Sequence, residues 1–338
     1  MLEITWFILW GVLWALYFVL DGFDLGIGIL LPFLGKSERD RRVMYNAQGP
    51  FWDANEVWLI TAGGVTFAAF PGTYAVLFSS LYTPLLLLLF ALIIRGVTFE
   101  FRHLGETRKW KRLWDTCHFV GSFLAALLLG VAFANIFMGI PIDAEGVNQG
   151  TLLTLLNSYG LVGGVVFVLV FSFHGSLWLA VKAHGEMEER ARRVARSLWF
   201  VVALGAVLFL FLSAVFTDLY ANYLANPLLF AIPLLAVAGL ILARMAMGQD
   251  KYWKAFLWSG LFIVGVAFFG IAGIYPALLP SSLDPAYSMT IANSASSPLT
   301  LKIMLGVTLV MVPIVLLYQL WVYRTFSHKL ETDEDLYY

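Results

Sequence analysis

Four carboxylates stand in apolar runs where a membrane helix ordinarily has none. Asp21 and Asp24 lie in the first long run, and Asp53 and Glu56 lie in the second. A spacing of three puts the members of each pair on one helical face. A charged side chain near a bilayer centre costs about 2.5–3.5 kcal/mol on insertion scales, so such residues face a bundle interior or a wet cavity. Two chemistries fit them: a proton-conducting or cation-binding cluster, or acids fixed by hydrogen bonds as glue between helices. Arg95, near the end of the third run, and Asp115 with His118, at the start of the fourth, belong at the same depth. Arg95 reads either as a side chain snorkelling to the headgroups or as the counter-ion of a buried carboxylate.

The elements that would position these residues follow from composition. With 60% hydrophobic and 13% charged residues and a mean hydropathy of +0.82, the chain is a polytopic membrane protein and not a soluble domain. Apolar runs give an all-α fold of nine spans, at approximately 5–33, 51–70, 74–96, 114–138, 156–181, 197–217, 228–247, 254–277 and 299–323. They form one integral membrane domain. Residues 1–139 make a charged four-helix unit, 156–277 an apolar four-helix unit, 299–323 a peripheral ninth helix and 324–338 a tail. The run beginning near Thr5 lacks a basic leader and reads as a retained helix. The stretch 278–299, rich in Ser, Pro and Asn, reads as a turn-forming connection.

Charge placement orients the spans. All of the 21 Lys and Arg residues except Arg95 and Lys302 fall in the loops at 35–48, 101–113, 182–196 and 244–254 or in the tail from Arg324. The positive-inside rule then predicts an outside N-terminus and a cytoplasmic C-terminus, as an odd number of spans requires. All four acids fall in the cytoplasmic half, as a polar funnel open to that side.

Other chemistries find little support. No nucleic-acid surface is implied. The single cysteine, Cys117, excludes an internal disulfide and reads as packing, and no zinc or c-type haem spacing occurs. Gly26-Ile27-Gly28 lacks the third glycine of a dinucleotide fingerprint. His103, His184 and His328 fall in cytoplasmic segments. His174, between Ser172 and Ser176, is deep enough to ligate a haem, although a hydrogen bond to a neighbouring helix is the commoner use of such a residue. Trp58, two turns inside the second span beside the acidic face, reads as lining a cavity or touching a partner's cofactor.

Asp21-Gly22-Phe23-Asp24-Leu25-Gly26-Ile27-Gly28, the stretch from Trp52-Asp53-Ala54-Asn55-Glu56-Val57-Trp58 to Gly64, Arg95-Gly96-Val97-Thr98-Phe99-Glu100-Phe101-Arg102, Trp114-Asp115 and Ser296-Ser297-Pro298-Leu299-Thr300-Leu301 together resemble subunit II of cytochrome bd-type quinol oxidases. The resemblance spans nearly the whole chain. It implies a nine-helix subunit of a bacterial inner-membrane heterodimer, paired with a haem-bearing subunit I and often with a small single-span subunit, in contact with lipid and quinone. It also implies quinol oxidation coupled to reduction of dioxygen to water. Haem b and haem d, or a b-type replacement of the latter, would be held by subunit I, and a structural quinone could accompany the quinol substrate. No catalytic residue or metal ligand is then expected in this chain. By position, Asp53 resembles the family's acid on a proton path, Asp24 the second acid of that motif, and Trp58 a tryptophan near the oxygen-reducing haem and the oxygen route. Asp21, Glu56 and Asp115 join the expected proton path, with Arg95 as counter-ion. Lys302 matches no uniform position. The competing reading is a proton- or cation-coupled secondary transporter, which would more often break helices near the midplane and share a polar site between halves.

Overall fold

A helix that is apolar on one face only can lie at a surface, whereas one buried all round belongs in a core. The second half of the first helix, α1 (Leu2–Leu34), is of the second kind: every residue from 21 to 31 is buried. The computed structural model describes residues 1–330, 336 and 337. Among them the chain continues through α2 (Glu38–Gln48), α3 (Trp52–Ala69), α4 (Pro71–Ser80), α5 (Tyr82–Phe101) and α6 (Arg108–Met138). It then forms α7 (Ser158–Lys182), α8 (Gly185–Phe216), α9 (Leu219–Ala225), α10 (Ala231–Gly248), α11 (Tyr252–Ile274) and α12 (Pro298–Thr325).

α1 packs on α3 and α6 from its own half of the chain and on α7 and α11 from the other. Missing side chains make the approach to α7 possible. A Cβ at Gly26 would stand 1.8 Å from the Phe171 carbonyl oxygen, and one at Gly175 would stand 2.7 Å from that of Phe23. The two backbones touch there, which is what small residues do between membrane helices.

Among the described residues, eight helices are long and apolar enough to cross a membrane. The second expected span, α3, is not among them, because its 18 residues include Asp53, Asn55 and Glu56. The third expected span, 74–96, is broken into α4 and α5 around Leu81. Pro84 explains the break: it has no N–H for the carbonyl four residues back, and its ring clashes with that carbonyl. The sixth expected span is the outer part of the longer α8, whose first turns carry basic residues.

The ends of the bundle differ. At the end without basic loops, the segment after α6 joins the segment after α11 through reciprocal bonds, Ile140 N to Pro280 O and Ser282 N to Ile140 O, both 3.0 Å. Gly139, with φ +92°, turns the chain out of α6 into this seam. The stretch expected as a plain connection there also carries an antiparallel strand pair, β1 (Ala277–Leu279) with β2 (Met289–Thr290). At the basic end, α2 starts on a capping box in which Ser37 and Asp40 bond each other's backbone N–H. The chain after α12 returns over this end, where Lys182 Nζ donates to the carbonyls of Phe326 and His328. α12 itself is peripheral, and only its Leu301 and Gln319 are buried.

Candidate functional site

Burial of the second half of α1 carries Asp21 and Asp24 into the bundle, both with 0% exposure. Arg95, fully buried on α5, reaches them across the helix gap. Its Nη1 lies 3.5 Å from Asp21 Oδ1 and bonds Glu56 Oε1 at 2.5 Å. Asp24 is held differently: Asn55 Nδ2 donates to its Oδ2 at 2.7 Å and to the Leu20 carbonyl at 2.9 Å. Tyr323 of α12 donates to Asn55 Oδ1 at 3.2 Å, so four helices meet around three acids, one guanidinium and one amide. Arg95 thus faces a cluster of carboxylates and is not snorkelling.

Several buried polar atoms here make no close hydrogen bond within the protein: both oxygens of Asp21, Oδ1 of Asp24, Nε and Nη2 of Arg95 and the Tyr17 hydroxyl. Buried polar groups are nearly always hydrogen-bonded, to water where no protein group serves. An acidic cluster with one guanidinium, its open positions filled by water, would be able to accept, hold and pass protons.

Asp53 stands apart from this cluster. It is exposed on α3, at the start of a stripe that continues through Val57 and Ile60, which are 49% and 73% exposed. Asp115 also stands apart, in an ion network at the basic end. Arg41 Nη1 and Arg102 Nε donate to it at 2.5 and 2.7 Å, and Arg102 and Lys111 both bond Glu38. Burial pushes the Glu38 carboxyl up, but its bonds to Arg102 and Lys111 outweigh this and hold it below the usual value. Asp40 is likewise held low, by the Ser37 N–H and Arg190 against the effect of burial.

Trp58 is buried, and its Nε1 donates to Gln319 Oε1 at 3.1 Å under α12. Gln319 Nε2 in turn lies 3.3 Å from the Ala54 carbonyl. Asn55, Tyr17, Gln319 and Tyr323 are site residues that the sequence reading passed over. Asn55 sits inside the acidic motif and could have been found there; the other three are isolated polar groups in apolar runs.

The family model for cytochrome bd terminal oxidase subunit II matches residues 2–326. The chain belongs to that family. It is 37% identical over 336 residues to cytochrome bd ubiquinol oxidase subunit 2 of Bacillus subtilis, covering 98% of each chain. It is 35% identical over 370 residues to cytochrome bd-I ubiquinol oxidase subunit 2 of Escherichia coli, covering 99% of this chain and 96% of that one. Its fold matches that of a chain in the bd oxidase from Geobacillus thermodenitrificans with a TM-score of 0.77 at 16% identity, over 96% and 98% of the two chains. As a family member it is a subunit of a bd-type terminal oxidase, a quinol-oxidising oxidoreductase, and family membership leaves the transporter reading without support.

A cytochrome complex carries haem, and this chain's deep histidines do not fit one. Both ring nitrogens of His174 are engaged, Nδ1 with Ser259 Oγ at 2.6 Å and Nε2 with the Val19 carbonyl at 3.1 Å. Its ring also stacks on Phe256 at 4.3 Å, so His174 ties α7 to α11 and α1. His118 has Nδ1 on Thr98 and is fully buried. A Cβ on Gly28 would come 3.2 Å from its Nε2, which leaves no space for a macrocycle. Among the described residues, no group of three His, Cys, Asp or Glu side chains could hold a metal ion.

Proposed function

We propose that this chain is the proton-delivering subunit of the oxidase and that its partner, subunit I, holds haem b and haem d or a b-type replacement. Reduction of dioxygen to water consumes protons at a haem buried in apolar helices. Carboxylates and ordered water are the means by which such helices pass them. One guanidinium balances one carboxylate, and burying further anions is costly, so the cluster of Asp21, Asp24 and Glu56 around Arg95 stays near neutral by carrying protons. The observation that carries the reading is Asp53, an acid exposed on an otherwise apolar helix face one turn from Glu56. A carboxylate does not face lipid, so we take this face as the one that subunit I covers. Glu56 would then pass protons to Asp53, and Asp53 would pass them across the interface.

We read α3 as the ninth span, giving two four-helix units and a peripheral α12 within one integral domain, residues 1–338. The basic end is cytoplasmic and the N-terminus outside, in a bacterial inner membrane. Asp115, in its ion network, would sit where protons enter, and Trp58 would support the face toward the haem and the oxygen route. A small single-span subunit, lipids and a structural quinone would complete the complex. Co-expression tests the division of labour. The chain alone should purify without a haem band, the pair should carry all haem bands, and His174→Ala should leave them in place. A haem band in the isolated chain that vanishes in His174→Ala would overturn the reading.

A further inference from the structure

α5 and α6 run side by side, and each turns a polar stripe to the other. On α5 and the turn after it the stripe is Arg95, Thr98 and Arg102; on α6 it is Asp115, His118 and Ser122. Both follow the spacing i, i+3, i+7, which is one helical face over about 10 Å. The stripes pair as rungs. Arg102 Nε bonds Asp115 Oδ1 at 2.7 Å, and Thr98 Oγ1 lies 2.8 Å from His118 Nδ1. Gly121 brings α6 close to Arg95, for a Cβ there would lie 2.6 Å from the Ala91 carbonyl oxygen and 3.0 Å from Arg95 Cβ.

All six side chains are buried, Arg102 and Asp115 at 2% and 7% exposure and the other four at 0%. Polar residues in that position should be saturated with hydrogen bonds, and these are not. His118 Nε2, Ser122 Oγ and Nε and Nη2 of Arg95 make no close hydrogen bond within the protein. Tyr45, from α2, covers the seam: its ring lies 4.6 Å from that of His118, and its hydroxyl is turned toward Thr98 and Asp115. Burial and the Asp115 charge hold that hydroxyl well above its ordinary value, so it stays a donor.

Thr98 Oγ1 donates to the Arg95 carbonyl at 2.5 Å. Its one proton being used, it accepts from His118 Nδ1–H, and the open lone pair of the ring is on Nε2. That atom lies beside the Gly28 backbone, where Ser122 Oγ occupies the space a Cβ would take, 2.0 Å from its position.

We propose that this seam is a hydrated passage carrying protons from the ion network at the basic end to the cluster of Arg95, Glu56 and Asp21, with His118 as its relay. The proposal rests on the proton-delivery reading above. Thr98 is a positioning residue that fixes the ring. His118 Nε2 takes a proton from water on the Tyr45 side and releases it to water on the Ser122 side, so the imidazole ends as it began. No bond other than N–H and O–H changes.

The test uses the intact complex, with proton uptake followed by a pH-sensitive dye as the reduced enzyme reacts with dioxygen. His118→Gln keeps a donor for Thr98 and a side chain of similar reach but cannot carry a proton. It should slow uptake threefold or more and enlarge the solvent deuterium isotope effect, with haem content unchanged. A histidine that only packs would leave uptake and isotope effect at parent values, and that result overturns the proposal. Should His118→Gln fail to assemble, Thr98→Val, which keeps volume, decides: slowed uptake supports the passage and unchanged uptake sinks it. Asp53→Asn, run in parallel, separates the two claims. If it slows uptake while the seam variants do not, protons reach the acids by another route; if none of the variants slows it, the proton-delivery reading fails as well.

Discussion

Among single residues, Arg95 holds the acidic cluster together. Among the described residues it is the one cation paired with Asp21 and Glu56, and removing one member of a buried ion pair ordinarily costs about 3–5 kcal/mol because the partner charge is stranded. Arg95→Met is therefore expected to abolish or sharply reduce assembled complex in membranes, read by quantitative blotting of both subunits. Wild-type yield would show that the acids need no counter-ion. The pairs Asp21/Asp24 and Asp53/Glu56 and the lone Arg95 were legible in the sequence, because charge is costly in an apolar run. Their separation was not. Helical spacing puts Asp53 and Glu56 on one face, yet Glu56 turns inward to Arg95 while Asp53 stays exposed. Three residues subtend about 300° at 3.6 per turn, and the remaining 60° divides core from surface here.

At the scale of elements, the contact of α1 with α7 is the least forgiving. Gly26→Ala would place a methyl 1.8 Å from a backbone oxygen, which no rotamer change relieves. Loss of the complex is expected, whereas Gly248→Ala, at the end of α10 with nothing within 4 Å, should assemble normally. Comparable yields of the two would contradict the packing described. The α2 network makes a pH prediction. Glu38 and Asp40 are held below their ordinary values, so their stabilisation is full at neutral pH and is lost as pH falls through those lowered values. Thermal stability should be flat from about pH 8 to 5 on their account and decline below about pH 4. Glu38→Gln should remove part of that decline, by less than about 1 kcal/mol because Glu38 is half exposed and screened. A decline of the same size in Glu38→Gln would place it elsewhere. Most helix positions could be read from apolar runs. The break between α4 and α5 was hidden by the apolar run that continues across it, although Pro84 marks it.

For the whole molecule, the gathering of 19 of the 21 basic residues at one end makes orientation testable. Reporters fused after Gly35, Gly105, Gly185 and Lys329 should read cytoplasmic, and those at Val147 and Asp284 should read outside. Reversal at any two sites would exclude the arrangement. The division into a charged and an apolar half is visible in the sequence, but α1 joins the halves by packing on α3 and α6 as well as α7 and α11. No local pattern could convey that, since the glycines that permit it are 149 positions apart at Gly26 and Gly175.

The most direct test of proton delivery is steady-state quinol oxidation by the Asp53→Asn complex, normalised to haem content. Asparagine keeps the size of aspartate and its hydrogen bonding but cannot carry the proton. With haem content normal, turnover should fall roughly tenfold or more, equivalent to about 1.4 kcal/mol on the limiting step. Normal turnover at normal haem content would mean that protons do not cross to subunit I at Asp53, and loss of haem or of subunit I would make the residue a structural one.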